Sequence, residues 1–82
     1  MSAARWVLWG FHAAYKGKDG RPYPLRLAVG SQRDVNGERA RRKRDGGWTM
    51  GTYRQGVAPV GLRLQCDAAY PDRSHVGEDT NA

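Results

Sequence analysis

Five cations fall within six consecutive residues, Arg39, Arg41, Arg42, Lys43 and Arg44, with only Ala40 between them. Charges this close repel one another, and sinking an unpaired one into a protein interior costs several kcal/mol. The run must therefore lie on the surface. It splits the chain into two apolar stretches that have to meet elsewhere in one core. Eighty-two residues allow a single domain, and a chain this short buries only roughly 60% of the surface its unfolded form exposes. Cys66 is the sole cysteine, so no internal disulfide reinforces that core. Such cysteine usage suits a reducing, cytoplasmic setting.

From Arg5 to Tyr15 the chain alternates, with Val7, Trp9, Phe11, Ala13 and Tyr15 on one side. Its aromatic content favours a strand. The run from Trp6 to Ala14 is broken by Gly10 and His12 and is far short of the roughly twenty apolar residues a membrane helix needs, so no membrane is expected as partner. Asp19-Gly20 is a hairpin signal. A second strand follows over Tyr23 to Ser31, with Tyr23, Leu25, Leu27 and Val29 on one face.

Residues 31–47 admit three readings. Ser31 with Asp34 three residues on resembles a capping box that would open a short helix ending at Gly46. Gly37 in mid-segment argues against it, and only Val35 and Ala40 are available to face a core. Asn36-Gly37 suits a hairpin turn, but ERARRKR has no apolar face to hold a returning strand. The expectation is an exposed arm over 33–45, with at most a helical turn, that orders on a partner. Trp48 to Gln55 reads as a third strand. Ala58 to Cys66 reads as a fourth, with Val60, Leu62, Leu64 and Cys66 inward.

The expected fold is thus mainly β, a small four-stranded antiparallel sheet or partly closed barrel, with the basic arm or short helix between two hairpins. Its apolar face lacks an amphipathic helix as cover, so barrel closure or a homo-dimer is expected to supply one. Residues 1–66 form the domain and 67–82 an acidic, flexible tail. The first segment carries thirteen basic and four acidic side chains, net +9; the second carries one and four, net −3.

A body with that charge attracts polyanions. Eleven of the fourteen basic residues are arginine, whose planar fork makes bidentate contacts to phosphate or carboxylate. Trp48 and Tyr53 follow the run, and Lys16, Lys18 and Arg21 lie beside Tyr15 and Tyr23, so cations alternate with rings able to stack on bases. Function is therefore read as nucleic-acid binding, DNA or RNA, by Arg39, Arg41, Arg42, Lys43 and Arg44 with Trp48, Tyr53, Lys16, Lys18 and Arg21. The alternative is a small adaptor or inhibitor docking its cations on an acidic protein surface, with Trp48 as anchor. A catalytic role is not expected, because the one histidine of the apolar half, His12, lies within a hydrophobic strand. Cys66 and His75 with Asp67 or Asp72 make a poor tetrahedral set, and no phosphate-loop spacing occurs, so neither metal nor nucleotide cofactor is expected.

Overall fold

The computed structural model describes residues 5–71. Three strands, β1 (Trp6–Phe11), β2 (Leu25–Gly30) and β3 (Thr49–Arg54), form an antiparallel sheet in the order β2-β1-β3. Helix α1 (Gln32–Asp45) links β2 to β3, and α2 (Val60–Ala69) follows β3. Because β2 and β3 both run antiparallel to β1, they are parallel to each other. Helix α1 is the crossover that carries the chain past the central strand.

The β1–β2 pairing agrees with the sequence reading, and Asp19-Gly20 does turn the chain. Gly20 has φ 77°, its N–H donates to the Gly17 carbonyl at 3.0 Å, and the Arg21 N–H donates to Asp19 Oδ1 at 3.0 Å. The turn sits at the tip of a long connection, closed by one bridge between Lys16 and Pro22. The expected common face of Leu25, Leu27 and Val29 is broken. The register passes from Leu8↔Ala28 to Trp9↔Arg26, leaving Leu27 as the extra residue of a bulge. Val29 stays on the Val7 face, whereas Leu27 lies over Gly10 on the other.

Two expectations are corrected here. The fourth strand is helix α2, so the fold is a three-stranded sheet with two helices rather than a four-stranded sheet or barrel. Leu62 and Cys66, four residues apart, are buried at 1% exposure, while Val60 and Leu64 stand at 61% and 64%. Residues two apart share one face of a strand but lie on roughly opposite sides of a helix, whereas residues four apart share a helix face, which is the division seen here. Pro59 at the N-cap favours the helix, since proline is at home where backbone N–H groups lack intrahelical partners. The second hairpin is accordingly absent, and β3 pairs instead with β1.

The arm is likewise a full fourteen-residue helix. Ser31 caps it, its Oγ accepting from the Asp34 N–H at 3.2 Å, and Gly46 closes it at φ 82°. The Asn36-Gly37 turn does not form. The stretch Glu38 to Arg44 consists entirely of strong helix formers, Glu, Arg, Ala and Lys, and their summed propensity outweighs one glycine.

Each helix covers one sheet face, so cover comes from within the chain. On the face of Trp9, Phe11 and Tyr53, α2 packs Leu62 and Cys66 against Phe11, with Tyr70 edge-on to Phe11 at 6.3 Å. On the other face lies α1, whose Asp34 abuts Gly30 and whose one buried residue is Val35; Leu8, fully buried, belongs to this side. No helix among the described residues is long and apolar enough to cross a membrane. Of the expected acidic tail, Asp67 to Ala69 belong to α2, and 72–82 lie outside the described residues.

Candidate nucleic-acid interface

Helical spacing sorts the cations of α1. Val35, Glu38 and Arg42 share the side turned to the sheet. Glu38 accepts from Arg42 Nε at 2.8 Å, and the arginine and glutamate side chains are only 31% and 25% exposed. The Arg42 guanidinium lies 5.0 Å from the centre of the Trp48 ring. This arginine is thus a clamp between helix and sheet end. Arg33, Arg39, Arg41, Lys43 and Arg44 are all exposed on the remaining surface. Among the described residues, none of these five has a carboxylate within 4.0 Å, since the ion pairs there involve only Arg21, Arg42 and Arg63.

Beneath the C-terminal end of α1, Trp48 is the centre of an aromatic cluster. Tyr15 stacks on it at 5.4 Å and 21°, and His12 tilts against it at 5.1 Å. His12 Nδ1 accepts from the Ala14 N–H at 2.9 Å, which fixes its ring. Gly47 makes the approach possible, since at φ 81° a side chain would be strained and its Cβ would collide with His12. Trp48 is half-buried by these neighbours. The ring presenting open surface is Tyr15, at 53% exposure. The arrangement therefore joins a cationic helix to an exposed aromatic at one end of the sheet.

The remaining sequence candidates go elsewhere. Tyr53 faces α2, and its hydroxyl accepts from the Leu62 N–H at 3.0 Å. Arg21 Nε donates to the Tyr70 carbonyl at 2.7 Å and its other nitrogen pairs with Asp67 at 3.3 Å, tying the long β1–β2 connection to the end of α2. Lys16 and Lys18 are exposed on that same connection. Tyr15 was expected only as a ring beside Lys16, Lys18 and Arg21, and His12 not as a binding residue at all; their spacing from Trp48 in sequence gives no hint that the fold brings the three together.

Cys66 is sealed in the core, its thiol donating to the Pro22 carbonyl at 3.2 Å. Burial, and secondarily the Asp67 carboxylate, push this thiol's pKa up.

Comparison of the chain with protein-family models, with curated proteins and with solved structures finds no match.

Proposed function

We propose that this chain is a non-enzymatic nucleic-acid-binding module that lays α1 along phosphates. The observation that carries this reading is the set of five exposed cations, Arg33, Arg39, Arg41, Lys43 and Arg44, on one rigid helix without carboxylate partners among the described residues. A fixed helix keeps these charges at set spacing, so a polyanion neutralises them together and releases its condensed counterions. Tyr15 offers a ring beside them for a base.

The test is a salt series of binding to DNA and RNA by fluorescence anisotropy, with Arg39, Arg41 and Arg44 changed to alanine in one variant. Binding should weaken steeply with salt, and the variant should lose about three charges' worth of salt slope. Absence of binding at low salt sinks the reading.

A second reading, docking on a larger protein, is favoured by Val57, Val60 and Leu64, exposed at 51%, 61% and 64% beside α2, an apolar patch on the sheet face away from the cationic helix. Alanine scanning separates the two. Phosphate tracking spreads the loss over several arginines, whereas a protein interface concentrates it in one or two anchors.

A further inference from the structure

We propose that α1 inserts into the major groove of duplex DNA, with the ridge of Arg33, Asn36, Gly37, Ala40 and Arg44 towards the base edges. This rests on the nucleic-acid reading above and narrows it to one form of nucleic acid.

The side of α1 opposite Val35, Glu38 and Arg42 is that ridge, and all five of its residues are exposed. Its ends are arginines, eleven residues and so about 16 Å apart along the axis. Its middle is low, formed by Gly37 and Ala40. On one flank lie Arg39 and Lys43 and on the other Arg41, so cations border both sides of the ridge. A helix with its side chains is about 10–12 Å across, and the B-DNA major groove is about 12 Å wide. Seated there, the flanking cations meet the phosphates of the two walls, and the ridge meets the floor. Arginine is the usual partner of guanine and asparagine of adenine on that floor.

Gly37 supplies an independent argument. Glycine is among the poorest residues for a helix interior, and nothing within the fold requires it. Its φ is not positive, and among the described residues a Cβ there would meet nothing within 4 Å. A surface that approaches from outside is what a missing side chain accommodates. The two other polyanions of this class do not match this shape. The major groove of duplex RNA is too deep and narrow to be read by side chains, and a single strand has no groove.

The experiment compares binding of the full chain to a short DNA duplex, the RNA duplex of the same sequence and the single DNA strand, at one salt concentration. Wild type and Gly37→Leu are used, with circular dichroism and thermal melting of each. Duplex DNA should be preferred over duplex RNA by about tenfold or more, and Gly37→Leu should weaken duplex-DNA binding by about tenfold while melting no lower than wild type. Methylation of guanine N7, which blocks the groove floor, should weaken the wild-type complex, a readout independent of any variant's folding. Equal affinity for the three nucleic acids, with no effect of N7 methylation, overturns groove insertion and leaves phosphate binding by α1 standing. Failure to bind any of them at low salt overturns both.

Discussion

Cys66 shows how one residue type is assigned its role by its surroundings. Its thiol is enclosed by the α2 side of the core and aimed at the Pro22 carbonyl. A thiolate there would lose its water and face a carbonyl oxygen and the Asp67 carboxylate, which is why its pKa is raised. The sign of the pH effect follows. Above about pH 8.5 the unfolded chain releases this proton while the folded one keeps it, so the folded state binds more protons and stability falls as pH rises. Urea midpoints at pH 7 and pH 10 should drop further in wild type than in Cys66→Ala. Equal drops would mean that the thiol ionises in the fold without penalty. The alternating pattern already placed Cys66 inward, but the Pro22 carbonyl that its thiol meets lies 44 residues away and is brought there only by the fold.

At the scale of elements, legibility tracked how far local chemistry pointed one way. Strands β1, β2 and β3 and the Asp19-Gly20 turn were readable because alternation and turn residues agreed. Helix α1 was readable at its ends, through Ser31 and Gly46, and misread in its middle, where Gly37 and the scarcity of apolar residues argued for a loose arm. Its sheet-facing stripe is Val35 plus a Glu38–Arg42 pair capped by Trp48, and no apolar periodicity announces such a stripe. For α2, Val60, Leu62, Leu64 and Cys66 fit either period, and tertiary packing of Leu62 and Cys66 on Phe11 decided it. Of the candidate site, exposure of the cationic run followed from its charge, but the division of Arg42 from its neighbours and the Tyr15–Trp48 stack required the fold. With one buried residue, α1 depends strongly on its caps. Ser31→Ala removes the acceptor for the Asp34 N–H and should cost about 1 kcal/mol. Chemical denaturation measures the loss, and an unchanged midpoint would show that Asp34 or water caps the helix equally well.

The whole molecule sets function against stability. Five exposed cations sit on α1, where repulsion between them opposes folding, and a bound polyanion would remove that repulsion. Salt acts on both processes with opposite consequences. It screens the arginines from one another, which stabilises the free protein, and it would weaken the proposed hold on phosphates. The free chain should therefore melt at higher temperature as sodium chloride is raised from about 20 to about 300 mM, a range over which the Debye length falls from about 20 Å to about 6 Å, close to the distance between neighbouring charges on a helix surface. Changing Arg39, Arg41 and Arg44 to alanine should raise the melting temperature at low salt and flatten the dependence, while the same variant loses affinity for nucleic acid. A flat melting curve in wild type would instead mean that the Glu38–Arg42 pair and the Trp48 contact already offset the repulsion, leaving the exposed arginines without energetic strain in the free fold.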